Sequence, residues 1–212
     1  LNELVDIYKK VYRNKVKKPF PQDPYEQLNL SVQAVFGSWN SERAEKYRQI
    51  NKITGLFGTA VNVQTMVFGN MGSKSGTGVA FTRDGGTGHS KPMGEYLIDA
   101  QGEDVVAGIR TPKDLDDMPN EKEDVWAPAY NELQKIMNKL ERHYKYPQDV
   151  EFTVQDGKLY MLQTRNAKRT GLAGVRWAVE MATGKDFYTG ASQPKILSQK
   201  EALMTLSGDD LE

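Results

Sequence analysis

The chain has 212 residues, and its 28 Lys plus Arg balance 28 Asp plus Glu, so no global charge draws it to nucleic acid or an anionic membrane. It contains no cysteine, which excludes disulfides, thiolate nucleophiles and Cys-ligated metals, and is compatible with a reducing cytosol. No apolar run approaches the roughly 20 residues that span a bilayer, no signal peptide is present, and the first residue is Leu1 rather than Met, which fits a piece of a longer polypeptide.

The opening third reads as helices. Leu4, Val5, Tyr8, Val11 and Tyr12 recur at helical spacing within 1–16, and basic Lys15–Lys18 runs into the break Pro19-Phe20-Pro21. Asp23-Pro24-Tyr25-Glu26 supplies an N-cap, a proline at the first helical position and a glutamate in capping-box style. Tyr25, Leu28, Val32, Val35, Phe36 and Trp39 form one apolar stripe, and Asn40-Ser41 restarts a third helix through Ala44, Tyr47 and Ile50. Periodicity predicts that these stripes are core.

The pattern changes at Gly55. Thr59–Phe68, Gly78–Arg83 and Gly94–Gln101 read as strands by length and branching. Between the first two lies GNMGSKSGTG (69–78), a loop whose backbone amides could approach phosphate closely. It is not a Walker-type P-loop: Ser73, not Gly, precedes Lys74, the spacing from Gly69 is one residue short, and a strand follows where a helix should. Its simplest reading is a hairpin connection, with Lys74 and Arg83 as solvated charges. His89, in a glycine-rich turn, and His143, near a helix end, are the two histidines, and both read as surface residues. A long helix is predicted over 125–144, with Trp126, Ala129, Tyr130, Leu133, Ile136, Met137 and Leu140 on one side. Further on, a helix is predicted over 172–182, a linker over 184–195, and an amphipathic piece over 198–206.

The segment DVEFTVQDGKLYMLQTR (149–165) is the most informative stretch. It reads as two strands joined around Gln155-Asp156-Gly157. A two-residue Asp156-Gly157 loop would set Glu151 opposite Leu162 and turn Gln163 and Arg165 to the other face. A three-residue loop, with Gly157 in the left-handed bulge position, sets Asp149 opposite Gln163 and Glu151 opposite Met161. This second register is predicted, because it separates Asp149, Glu151, Thr153, Met161, Gln163 and Arg165 from Val150, Phe152, Val154, Tyr160 and Leu162. Two acids, an amide and a guanidinium on one rigid face suit a metal ion carrying a polyphosphate. Parity alone does not distinguish such a face from an ordinary wet one.

NMGSKSGTGVAFTRD, GEYLIDAQGEDVVAGIRTP (94–112) and DVEFTVQDGKLYMLQTRNAKRTG together resemble the pyruvate, phosphate dikinase family. The middle motif is highly specific. The last hairpin resembles phosphoenolpyruvate synthase and related dikinases as well. The resemblance implies an α+β fold: an ATP-grasp subdomain with an antiparallel sheet flanked by helices, plus helical extensions at both ends. The implied layout is a helix of the preceding subdomain over 1–22, the ATP-grasp C-terminal subdomain over 23–168, and a helical linker toward the phosphohistidine domain over 169–212.

The implied activity converts ATP, phosphate and pyruvate to AMP, pyrophosphate and phosphoenolpyruvate through a carrier histidine. ATP is the substrate and Mg2+ the cofactor. Glu151 and Gln163 match metal- and phosphate-binding positions, Arg165 matches the catalytic arginine at the polyphosphate, and Asp149 matches an acidic position beside them. Ser75, Gly76, Thr77 and Gly78 match a glycine-rich stretch that closes over phosphates, while Gln101, Gly102 and Glu103 open the specific motif near the same cleft. The other ATP-grasp lobe, the carrier histidine and the pyruvate-binding barrel find no match here; Gly88-His89 does not fit the carrier motif. The chain alone is therefore expected to be inactive, its partners being the remaining domains of one polypeptide in a homodimer, without nucleic acid or membrane. Cytoplasm is the expected compartment, with an organelle as the alternative. Two other readings are a dikinase that uses water as an acceptor, and a non-catalytic docking module for the carrier domain.

Overall fold

The computed structural model describes residues 1–106, 108 and 110–210, and its contacts divide the chain into two units, Leu1–Thr65 and Met66–Glu212. The first unit holds α1 (Asn2–Val16), α2 (Pro24–Ser38) and α3 (Glu42–Ile50). Their ends follow the predicted chemistry. The Asp23 side chain accepts from the Tyr25 amide and the Ser41 side chain from the Ala44 amide, while Lys17 closes α1 in the left-handed conformation. The expectation of a core fails here, because none of the three helices has a buried residue. An apolar stripe is a capacity to pack, and within this unit the stripes meet little beyond a Tyr12–Phe20 edge contact and Arg48 over Trp39. The strand predicted over Thr59–Phe68 is likewise absent, since that segment pairs with no neighbour and a strand exists only through its ladder.

The second unit is built on a five-stranded, wholly antiparallel sheet in the order β3-β2-β1-β4-β5. The strands are β1 (Gly76–Phe81), β2 (Met93–Ile98), β3 (Lys113–Asp114), β4 (Gln148–Gln155) and β5 (Lys158–Asn166). Short α4 (Gly102–Val106) follows β2, and a 3-10 turn over Leu115–Asn120 leads to α5 (Trp126–Tyr144). Ala80, Tyr96, Val150, Phe152 and Val154 point to one face and form the core with Trp126, Leu133 and Met137 of α5. Gly76 and Gly78 let this face close up: a Cβ at Gly76 would lie 2.8 Å from the Trp126 ring, and one at Gly78 would lie 2.6 Å from the Phe152 ring. The fold is α+β, as expected.

After β5, α6 (Gly171–Thr183) and α7 (Gln199–Met204) make a second, smaller core around Ala173, Trp177, Met181, Leu197 and Ala202. Thr170 caps α6, and Ser198 with Glu201 forms a complete capping box on α7. The stretch predicted as a linker, 184–195, is instead a tight turn. The Asp186 carboxylate accepts from Ser90, Gln193, the Thr189 hydroxyl and two backbone amides, which holds it far below the usual carboxylate range.

Arg83 is not the solvated charge its sequence context suggests. It is buried, donating to Glu141 of α5 at 2.7 Å and to Glu180 of α6 at 2.6 Å. The signal lay in α5, where Glu141 continues the buried spacing of Leu133 and Met137. Burial pushes the Glu180 carboxyl up, against the pull of Arg83 and of the Phe187 amide.

Candidate functional site on the β4–β5 face

The hairpin that carries the site differs from its predicted register, and the difference preserves the predicted cluster. Asp156 (φ 47) and Gly157 (φ 81) form a two-residue turn, with Gln155 opposite Lys158 and Phe152 opposite Met161. Both central residues have positive φ, as a tight hairpin turn requires. That register alone would send Gln163 and Arg165 to the core face. A bulge between Glu151 and Phe152 takes up Leu162 and resets the pairing to Glu151–Gln163 and Asp149–Arg165. The extra residue thus sits in the strand, not in the turn. Met161 consequently packs against the core and Tyr160 shares the face of Thr153, the reverse of the predicted assignment.

Asp149, Glu151, Gln163 and Arg165 therefore do share one face. Arg165 Nε donates to Asp149 Oδ2 at 2.6 Å, and its Nη2 lies 3.9 Å from Glu151 Oε1. The Asp149 bond raises the Arg165 pKa further, keeping the guanidinium charged. Asp149 is buried, whereas the Arg165 side chain is 57% exposed and that of Glu151 38%. Asp149 Oδ1 is buried with no hydrogen-bond partner, an acceptor left open beside a cation.

Among the described residues no group of three or more His, Cys, Asp or Glu side chains forms a metal cage. The donors here are carboxylates and an amide oxygen. These hard oxygen ligands suit Mg2+, which binds through one or two carboxylates and takes its other ligands from water and phosphate.

The other predicted site residues are placed differently. Ser75–Gly78 is not a closing loop: Gly76, Thr77 and Gly78 open β1, the middle strand, and Ser75 is fully buried, its hydroxyl accepting from the Asp156 amide. Thr77 lies opposite Thr153, on the face of Glu151, and donates to the Phe152 carbonyl. The flexible-looking part is Gly69–Lys74, and it too is tied down: Gln101 accepts from the Gly69 amide at 3.2 Å and Asp99 from the Gly72 amide at 2.9 Å. Glu103 is exposed in the first turn of α4. Ala107 and Ile109, later in the same motif, lie outside the described residues. Gly76 pairs with Ile98 while Phe81 pairs with Asp149, so Gln101 and Glu103 follow the opposite end of the sheet from Arg165, five residues or about 17 Å along the strand.

The family model described as "Pyruvate phosphate dikinase, AMP/ATP-binding domain" matches residues 6–120 and 114–185. The chain belongs to that family. Pyruvate, phosphate dikinase 1, chloroplastic, of Zea mays is 61% identical over 181 residues, covering 85% of this chain and 19% of the relative. The Mesembryanthemum crystallinum pyruvate, phosphate dikinase is 58% identical over 203 residues, covering 94% of this chain and 21% of the relative. The Arabidopsis thaliana pyruvate, phosphate dikinase 1 is 59% identical over 181 residues. The chain thus spans about a fifth of the length of the dikinases it matches. No helix among the described residues is long and apolar enough to cross a membrane.

Proposed function

We propose that this chain is the nucleotide-phosphate wall of a dikinase that converts ATP, phosphate and pyruvate to AMP, pyrophosphate and phosphoenolpyruvate through a carrier histidine. The observation that carries the reading is the convergence of Asp149, Glu151, Gln163 and Arg165 on one face of β4–β5. Membership of the AMP/ATP-binding domain family supports it over a docking module, and the names of the relatives support it over a water dikinase.

In this reading Glu151 and Gln163 hold Mg2+, which neutralises the phosphates. Arg165, with a guanidinium more than half exposed, donates to the polyphosphate and stabilises charge that develops during transfer. Asp149 aims Arg165 and keeps its open Oδ1 for a further donor or cation. Thr77 and the Ser75–Gly78 backbone form the floor of the same wall, and Gln101 holds the Gly69–Lys74 loop at the cleft through the Gly69 amide, with Glu103 at its rim. The sheet unit is the ATP-grasp C-terminal lobe; residues from 169 onward lead toward the carrier domain, and the opposing lobe, the carrier histidine and the pyruvate barrel are further domains of a homodimeric polypeptide in the cytoplasm or an organelle.

The test is phosphorylation of the carrier histidine by ATP in the polypeptide that contains this chain. Glu151→Ala and Arg165→Ala are expected to abolish it. Normal transfer by either variant would remove that residue from the site.

A further inference from the structure

Gln148 is the first residue of β4, and its side chain is almost completely buried, at 1% exposure for the residue. A buried primary amide needs partners for two N–H groups and one carbonyl. Gln148 finds them all. One Nε2 N–H donates to Asn166 Oδ1 at 2.9 Å, and the other is shared between the Tyr146 carbonyl at 2.8 Å and the Pro147 carbonyl at 3.2 Å. Oε1 accepts from the Thr164 hydroxyl at 3.0 Å. Its backbone is fixed as well: the Gln148 amide donates to Thr82 Oγ1 and its carbonyl accepts from the Thr82 amide, both at 2.9 Å.

The two β5 partners, Thr164 and Asn166, flank Arg165. Alternation along a strand puts Thr164 and Asn166 on one face and Arg165 on the other. The pairings agree: Gln148 lies opposite Asn166, Val150 opposite Thr164, and Asp149 opposite Arg165. One amide on the back of the sheet therefore grips β5 immediately before and immediately after the residue whose guanidinium works on the front. The grip is needed there. β5 is an edge strand, so its backbone has a ladder partner on one side only, and Asn166 ends it. The bulge at Leu162 interrupts the ladder three residues before Arg165.

We propose that Gln148 is a positioning residue: it clamps β5 from behind and so holds Arg165 against Asp149, in register for polyphosphate. The proposal rests on the reading of Arg165 given above, but its test reads the position of Arg165 directly, without nucleotide.

The experiment follows the arginine Nε–H signals of the whole chain by NMR, with the Arg165 signal assigned by its loss in Arg165→Lys. In the wild type, Arg165 Nε–H should exchange slowly because Asp149 Oδ2 accepts from it at 2.6 Å. Gln148→Met keeps the volume and deletes the clamp. It should speed exchange at Arg165 by about tenfold, the effect of losing a buried hydrogen bond, while Arg83 Nε–H, held by Glu141, stays slow and reports that the unit is folded. Thr164→Val removes a single bond of the clamp and should give a smaller rise of the same sign. Slow exchange at Arg165 in Gln148→Met with Arg83 unchanged would overturn the proposal. If Gln148→Met loses both signals through unfolding, Thr164→Val decides, and wild-type exchange at Arg165 in that variant would overturn it equally. Normal phosphoryl transfer by Arg165→Ala in the parent polypeptide would count against the functional reading and leave this result standing.

Discussion

Two of the arginine–carboxylate groups of the sheet unit, at Arg83 and Arg165, are built from the same chemistry. Arg83 meets Glu141 and Glu180 with all three side chains nearly closed to water, whereas Arg165 meets Asp149 and Glu151 with its guanidinium more than half exposed. In the buried group each guanidinium nitrogen has a carboxylate partner and each carboxylate oxygen a donor: Arg83 Nε and Nη2 go to Glu141, Nη1 goes to Glu180, and the second Glu180 oxygen accepts from the Phe187 amide. In the exposed group, contacts are left open, namely the Asp149 Oδ1 acceptor and a Glu151 carboxylate 3.9 Å from Arg165. The first arrangement joins the end of β1 to α5 and α6. The second has donors and acceptors left for a ligand. Saturation, more than residue type, separates architecture from site.

The largest expected effect breaks the buried group. Arg83→Ala leaves two carboxylates buried without a cation and should lower stability by about 3–5 kcal/mol, read from the urea midpoint. Replacing the trio together, as Arg83→Met with Glu141→Leu and Glu180→Leu, should recover most of that loss, because apolar groups of similar volume replace a buried ionic set at little net cost. A triple variant as unstable as Arg83→Ala would mean the trio contributes more than mutual compensation.

The exposed group should behave in the opposite way. Arg165→Ala leaves one buried carboxylate, Asp149, where Arg83→Ala leaves two, and is expected to lower stability by about 1–3 kcal/mol, less than Arg83→Ala, yet to abolish phosphoryl transfer in the parent polypeptide. A loss of stability comparable to that of Arg83→Ala would erase the distinction between the groups.

A pH series sharpens the comparison further. The folded-state pKa of Glu180 lies above its ordinary value of 4.5, so its protonated form is the one that folding favours. Its contribution is fully present below about 4.5, the unfolded value, and is lost as pH rises through the higher folded value. Wild-type stability should therefore fall relative to Glu180→Gln as pH is raised from 4.5, and parallel curves would contradict the assigned shift. The smallest effect belongs to Glu103→Ala. Exposed at the opposite sheet end from Arg165, Glu103 should alter magnesium ATP affinity by no more than about twofold, measured by titration calorimetry.

Much of the second unit was legible in the sequence. Long α5 follows from periodicity and the strands at Gly78, Gly94 and Asp149 from length, branching and alternation, while in the first unit the helix starts at Asp23 and Ser41 follow from local hydrogen bonding. The four site residues could be grouped because a polar face declares itself by parity. Their register could not: the positive-φ pair Asp156-Gly157 dictates a short turn, and only the ladder reveals that Leu162 is the extra residue. Long-range pairing was also hidden. Arg83 and Glu180 are 97 positions apart, and nothing local marks either as buried. The Ser75–Gly78 glycines resemble a phosphate loop in sequence because close backbone approach is the shared requirement, and here it is strands and a tryptophan that approach.

The most direct measurement titrates the polypeptide that contains this chain with manganese ATP and records which NMR signals of these residues the paramagnetic ion broadens. Broadening is expected to centre on Glu151, Gln163 and Arg165, with Arg83, Glu141 and Glu180 spared. Broadening centred elsewhere on the sheet, or none at millimolar nucleotide, would contradict the site assignment.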